Sequence, residues 1–294
     1  MQPDYVTRFA PSPTGPLHLG HAYSALIGWD RAKAAGGTFL LRIEDLDSAR
    51  CKPQFEVDIY QELAWLGLDW PYPVVRQSER TDTYRTALNT LITQGFCYPC
   101  GCTRGDIRQA LSAPQEGDVA HGPDGPVYPG TCRHRSMAGA LPTDAIRLNV
   151  AKAVAALGDI STFGFIETAS PAPVLQRLDA DHLLHRAGDV VLSRGGAGLA
   201  YHLTVVVDDA AQNITEVVRG SDLAEATHIH RLLQALLQFP TPTYCHHALI
   251  RDDAGKRLAK RDDARALAKY RAEGATPQDI RRILGLPPEA LPQR

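Results

Sequence analysis

Residues 11–21, Pro-Ser-Pro-Thr-Gly-Pro-Leu-His-Leu-Gly-His, constrain this chain more than any other stretch. Before them, residues 5–10 have the apolar content of a buried strand. Pro13 and Gly15 supply a tight turn, and Ala22, Ala25, Leu26, Trp29 and Ala32 then recur at helical spacing until Gly36-Gly37. Strand, turn and helix in this order put His18 and His21 at a helix N-terminus, where unpaired backbone N–H groups and the macrodipole attract anions. Gly20, with no Cβ, lets a planar group approach the backbone. A single histidine at a helix start is more often a surface or capping residue. The eleven-residue string as a whole argues for a phosphate-handling element.

The rest of the chain reads as α/β. Residues 38–44 (TFLLRIE) have the content of a second strand. Residues 53–66 place Phe55, Ile59, Leu63 and Leu66 on one helical face, and residues 79–95 do the same with Tyr84, Leu88, Leu91 and Ile92. Strand–helix–strand at this spacing implies a parallel crossover unit. The character changes at Cys97. Residues 113–130 hold eight Gly or Pro in eighteen positions, which excludes a regular helix there. Short strands are expected at 145–150, 163–167 and 189–193. The continuous apolar run 201–207, ending in Asp208-Asp209, predicts a return to the parallel sheet, followed by a helix at 222–237 and a last strand at 245–250. The expected architecture is a Rossmann-like parallel sheet split by an insertion. Residues 1–96 and 188–250 form the two halves of the catalytic domain, 97–187 the insertion, and 251–294 a loop with a short C-terminal segment.

Composition narrows the function. Thirty-one Lys+Arg against 33 Asp+Glu give a net charge of −2 over 294 residues, so any polyanion site must be a local patch. No apolar run approaches the roughly 20 residues of a membrane span, and the N-terminus lacks the regions of a signal peptide. A cytoplasmic protein without a membrane partner is expected. Residues 251–271 carry eight Lys/Arg and four Asp. Mixed charge runs are usually solvated faces, but Gly255-Lys256-Arg257-Leu258-Ala259-Lys260-Arg261 concentrates four cations in six residues behind a glycine. Such a loop suits closure on a triphosphate, where a cation stabilises charge that builds during reaction.

Six cysteines, three of them within 97–102, suit a metal site better than a disulfide framework. Cys100 and Cys102 flank a tight turn, and Cys132 follows thirty residues later, four after Tyr128. Zinc takes four tetrahedral ligands rich in sulfur. On spacing alone Cys97, His121 and His134 compete with Tyr128 for the fourth place, and buried free thiols are the alternative for the whole set. Phe163-Gly164-Phe165, His182/His185 and His228/His230 read as packing or surface groups.

Residues 11–21 together with 257–261 resemble the paired phosphate motifs of class I aminoacyl-tRNA synthetases. Arg8-Phe-Ala-Pro-Ser12-Pro-Thr-Gly15, Leu41-Arg-Ile-Glu44-Asp45, Tyr201 before Val205-Val-Val-Asp208-Asp209, and Val218-Arg219-Gly220-Ser-Asp222-Leu223 resemble glutamyl-tRNA synthetases in order. The resemblance covers most of residues 4–265. It implies an ATP-dependent ligase using Mg2+ that activates L-glutamate, with His18, Gly20, His21 and Lys260 toward ATP. Lys260, His18 and His21 are then the catalytic set. Lys260 is the retained cation of the family's Lys-Met-Ser-Lys-Ser loop, whereas Arg257 and Ala259 depart from it. The resemblance assigns Arg8, Ala10, Ser12, Glu44, Tyr201 and Arg219 to glutamate. Two arginines, a hydroxyl and a carboxylate can indeed pair both carboxylates and the ammonium of that substrate. It also implies one structural Zn2+ held by Cys100, Cys102, Tyr128 and Cys132. Only residues 262–294 follow the second motif, too few for an anticodon-reading domain. This brevity, with the cysteine insertion, is similar to the glutamyl-queuosine tRNA(Asp) synthetase family, and implies transfer of glutamate to the queuosine base in the tRNA(Asp) anticodon stem-loop. A minimal glutamyl-tRNA synthetase charging a 3′ end, a small-molecule nucleotidyl transferase and a catalytically impaired tRNA-binding paralogue remain as alternatives.

Overall fold

The computed structural model of the protein describes residues 4–111, 120–195, 198–250 and 265–288. Two compact units divide the chain: 1–79, 215–221 and 245–294 form the first, 80–214 and 222–244 the second.

The first unit opens with β1 (Val6–Phe9), α1 (Leu19–Ala34) and β2 (Thr38–Ile43), followed by α2 (Pro53–Trp65) and β3 (Val75–Arg76). Pairing is parallel throughout, Val6 opposite Thr38 and Arg42 opposite Val75, so the sheet order is β1-β2-β3. The helical spacing read in α1 is its core face: Ala22, Ala25, Leu26, Trp29 and Ala32 are all buried. Two glycines end the helix and return the chain to the sheet. Gly36 takes φ +62°, and a Cβ on Gly37 would stand 2.2 Å from the Tyr5 carbonyl oxygen, which accepts the Thr38 N–H at 2.8 Å. Pro53 starts α2 at a position where its missing N–H costs nothing.

The second unit begins with α3 (Thr81–Thr93), β4 (Cys97–Cys100) and α4 (Arg104–Leu111). A minimal hairpin of β5 (His121–Gly122) and β6 (Gly125–Pro126) precedes β7 (Ala145–Leu148) and α5 (Val150–Leu157). A second hairpin, β8 (Gly164–Glu167) with β9 (Val174–Arg177), leads to β10 (Val191–Arg194), β11 (Gly198–Leu199) and α6 (Tyr201–Ala211). The sheet β11-β10-β7-β4 is antiparallel. The chain then returns to the first unit as β12 (Glu216–Gly220), gives α7 (Ala226–Leu237) to the second, and passes through β13 (Thr243–His247). Two short helices, α8 (Leu267–Ala272) and α9 (Pro277–Ile283), complete the first unit. Among the described residues no helix is long and apolar enough to cross a membrane.

Residues 201–207, expected as a strand, instead form the first turns of α6. Every residue from His202 to Asp209 is buried. A segment buried on all sides shows neither the period of a helix nor that of a strand, and Val205-Val206-Val207 bias the propensity toward β. Packing against α3 and α7 decides for helix. Asp208, 0% exposed, then meets Arg80 Nε at 2.8 Å and accepts the Tyr84 hydroxyl at 2.8 and 2.9 Å. Asp208→Ala is expected to destabilise the protein by about 3 kcal/mol, the low end for a broken buried pair because Arg80 keeps 24% of its side chain in solvent. Urea denaturation checks this; a loss below about 1 kcal/mol would mean the pair is screened like a surface one.

Candidate functional site

His18 is the N-cap of α1, held in extended backbone between the buried Leu17 and Leu19. Its Nδ1 accepts the Gly20 N–H at 3.1 Å, and His21 Nδ1 accepts the His18 N–H at 3.2 Å. The two imidazoles therefore build a reciprocal capping box, a role usually filled by Ser or Thr with Glu. A ring nitrogen that accepts carries no proton, so each neutral ring holds its proton on Nε2. The capping and anion-binding readings are thus compatible: Nδ1 caps, and Nε2–H is the donor a phosphate oxygen would meet. The ring centroids are 3.8 Å apart.

Five of the six residues that the resemblance assigns to glutamate lie in the first unit. Arg8 is buried on β1, and Ala10 and Ser12 follow that strand's C-terminal end. β1 and β2 run in register, so Glu44, just past β2, shares this edge, and its N–H donates to the Pro11 carbonyl at 3.0 Å. Open parallel sheets bind ligands at such an edge. Arg219, on β12, is buried, and its Nε donates to His246 Nε2 at 3.2 Å. The sixth residue, Tyr201, opens α6 in the second unit. Its ring centroid is 5.5 Å from those of His202 and His230. His202 in turn contacts His230 at 3.0 Å and Asp124 at 3.2 Å. Lys260 and its neighbours Lys256, Arg257, Ala259 and Arg261 lie outside the described residues.

The motifs of the sequence assign no role to Arg42, His246 or His202. Arg42 is fully buried in β2 with a guanidinium nitrogen 3.3 Å from Glu44 Oε1. A cation inside the apolar string TFLLRIE is a usable signal, since buried charge requires a partner. His246 sits in a segment read only as a strand and His202 beside Tyr201 in the run 201–207, and nothing in one dimension pairs them with Arg219 or His230.

In the second unit Cys100, Cys102 and Cys132 bring their sulfurs within 4.8 Å of one another. The Cys102–Cys132 sulfur distance is 3.5 Å, and the Tyr128 hydroxyl lies 3.4 Å from Cys100 Sγ and 3.5 Å from Cys102 Sγ. A tetrahedral zinc with bonds of about 2.3 Å to sulfur places sulfur pairs about 3.8 Å apart, so the donor set and spacing fit such an ion. The Cys132 N–H donates to the Tyr128 oxygen at 2.9 Å, and the Arg147 guanidinium stacks 3.8 Å from the ring centroid. Burial first, then the neighbouring sulfurs, pushes the Tyr128 phenol up. The hydrogen bonds of Tyr128 and Cys102 outweigh the burial of Cys132 and pull its thiol down to about 7. Cys97 lies outside the cluster, its thiol pushed up to about 12 by burial. Neither His121 nor His134 joins the cluster among the described residues.

The family model described as "tRNA synthetases class I (E and Q), catalytic domain" matches residues 4–137 and 181–289. A glutamyl-Q tRNA(Asp) synthetase of Rhodobacter capsulatus is 56% identical over 96% of this chain and 100% of its own length. A protein of the same name from Albidiferax ferrireducens is 42% identical, over 98% and 94%. Among solved structures, a glutamate tRNA ligase from Elizabethkingia meningosepticum in complex with its amino acid is similar with a TM-score of 0.72 and 26% identity, covering 94% of this chain. This chain spans about three-fifths of that ligase, 59% of its length.

The capping geometry has a direct consequence. His18→Ala is expected to cost about 1 kcal/mol of stability through the lost N-cap, whereas His18→Asn, which restores an acceptor, recovers most of it. Thermal unfolding of the two variants checks this, and equal losses would remove the capping role.

Proposed function

Since the chain belongs to the class I tRNA synthetases of the glutamyl and glutaminyl type, among the glutamyl-Q tRNA(Asp) synthetases, and is a glutamate-activating ligase, we propose that it forms glutamyl-adenylate and transfers glutamate to the queuosine base in the anticodon of tRNA(Asp). The observation that carries this reading is the 56% identity to a protein so named along that protein's whole length. In the first step a carboxylate oxygen of glutamate attacks the α-phosphorus of ATP, and the bond to the β-phosphate breaks, releasing pyrophosphate. In the second, a hydroxyl of the modified base attacks the activated carbonyl, forming an ester and releasing AMP and a proton.

The chain's own groups divide along these steps. His18 and His21 present Nε2–H donors at the N-terminus of α1, where the backbone also favours anions, and Gly20 admits the base. Lys260 is the cation expected to offset charge that builds on the phosphates with Mg2+. At the edge of β1, β2 and β12, Arg8 and Arg219 pair the carboxylates of glutamate and Glu44 its ammonium, with Ala10 and Ser12 lining the same edge. The His246 contact orients the Arg219 fork. Tyr201 is the sixth proposed glutamate-binding residue, a role that rests on the family resemblance of its motif.

Cys100, Cys102, Cys132 and Tyr128 are the proposed ligands of one Zn2+ per chain. With all four positions filled by protein, such an ion would be structural and not catalytic. Elemental analysis of protein purified without chelator should find one zinc per chain. It should persist in Cys97→Ser and be lost in Cys132→Ser; zinc retained in Cys132→Ser would show a different ligand set.

The acceptor is tested with an isolated anticodon stem-loop carrying queuosine and no acceptor stem. Labelled glutamate should enter it in a base-labile bond. Incorporation only into intact tRNA(Glu), abolished by periodate oxidation of the 3′ ribose, would overturn the modification reading in favour of a minimal glutamyl-tRNA synthetase.

A further inference from the structure

Glu62 lies on the core side of α2 with Ile59 and Leu63, and 5% of it is exposed. What meets this carboxylate is backbone: the N–H groups of Leu17 and Ala268 hydrogen-bond to it, and its Oε2 is buried with no partner among the described residues. Leu17 directly precedes the N-cap His18, and Ala268 is the second residue of α8. The same two segments are tied again without Glu62. His18 and Ala266 form an isolated antiparallel bridge, and the Leu267 N–H donates to the Leu17 carbonyl at 2.9 Å. Leu17 and Leu267 are themselves fully buried at this junction. One carboxylate therefore closes a clasp of α2, the entry to α1 and the start of α8.

We propose that Glu62 is a positioning residue for glutamate activation: its ionised carboxylate holds the backbone of Leu17 and His18 against α8 and so sets where the His18 imidazole stands. The inference rests on the reading of His18 and His21 as groups that meet ATP. A carboxylate accepts from N–H groups about twice as strongly as a neutral acid does, so the clasp tightens when Glu62 ionises. The charged groups facing it are Asp58 one turn earlier on α2 and Arg271 on α8, with His18 beside the clasp itself. Burial, with a smaller push from Asp58, raises the carboxyl to about 7; the two N–H groups and Arg271 pull the other way. Between the ordinary carboxylate range and about pH 7 the folded chain thus binds more protons at Glu62 than the unfolded chain. Its contribution to stability falls as pH rises through that window. Stability and positioning then pull apart. The state that holds His18 best is the one the fold tolerates least.

Glu62→Gln separates them, because the amide keeps the shape and an acceptor but never ionises. In glutamate-dependent ATP–pyrophosphate exchange, its KM for ATP is expected to rise about fivefold at pH 8, the effect of one weakened charged hydrogen bond, and to converge on wild type below pH 7. Its melting temperature at pH 8 should equal or exceed that of wild type. A KM profile that superimposes on wild type from pH 6 to 8.5 would overturn the positioning role alone. Wild-type protein without glutamate-dependent exchange would instead overturn the functional reading, and the positioning role with it. If Glu62→Gln does not fold, amide exchange in wild type decides. Protection of the Leu17 and Ala268 N–H groups, corrected for intrinsic rates, should increase from pH 6 to pH 8, and constant protection overturns the proposal.

Discussion

The first unit depends on one ion pair that spans most of the sequence. Residues 80–214 leave it and the chain must come back, and the returning strand β12 is fixed by Glu216. That carboxylate is almost fully buried and takes Arg31 of α1 bidentately, with both nitrogen–oxygen distances 2.6 Å, while the Tyr5 hydroxyl donates to it as well. Thr215 adds a second tie, its N–H donating to the Val6 carbonyl at 2.9 Å and its Oγ1 accepting the Val6 N–H at 2.8 Å. Closing a long loop costs little more than closing a medium one, because the entropy grows only with the logarithm of length. A few specific contacts can therefore hold the return, provided the buried charge is fully satisfied. Arg219 stands three residues past Glu216. Its place on β12 follows from this pair and from the Thr215 tie to β1.

Local rules dominate where a segment's period, caps and turns agree. The face of α1, its stop at Gly36-Gly37, and the helices at 53–66 and 79–95 were legible for that reason. The run 201–207 was not, since a segment buried all round erases the period that would have identified it. Side chains of the candidate site were legible only as members of strings. His18 and His21 could be placed at a helix start from sequence, but their mutual capping is a product of ring geometry. The pairing of Arg219 with His246, and of Glu62 with backbone on two other segments, joins positions far apart in sequence and leaves no periodic trace.

The cysteine region shows why a metal would be useful where it is proposed. Around Tyr98, Cys100 and Tyr128 the buried cluster is small, edged by the partly buried Cys102, Ile107, Cys132 and Ala145. So little apolar area cannot offset the ordering of a Gly- and Pro-rich segment. Polar contacts carry part of the load: Asp189 accepts the Tyr98 hydroxyl at 2.6 Å, the Val150 N–H at 3.0 Å and Arg133 Nε at 2.7 Å. Arg147, stacked on Tyr128, also donates to the Asp189 carbonyl at 2.8 Å. A cation bound by three sulfurs and a phenol would add a fixed point that neither core nor network supplies.

Charge counted along the sequence does not by itself say which cations a polyanion would meet. The excess of four cations in residues 251–271 suggests a basic patch. Yet Arg265 pairs with Glu273, just beyond that window, and the neighbouring helix repeats the pattern, Arg282 with Asp279 and Arg281 with Asp30 of α1. Arg281 is buried by that pairing and serves to dock α9 on α1. Of the cations in residues 251–271, Arg265 is thus spent on a carboxylate within the fold. With a net charge of −2 there is no global field to steer a nucleic acid toward the protein. A nucleic-acid acceptor would therefore rely on short-range contacts with cations that no carboxylate of the fold neutralises, and the salt dependence of its binding would count them.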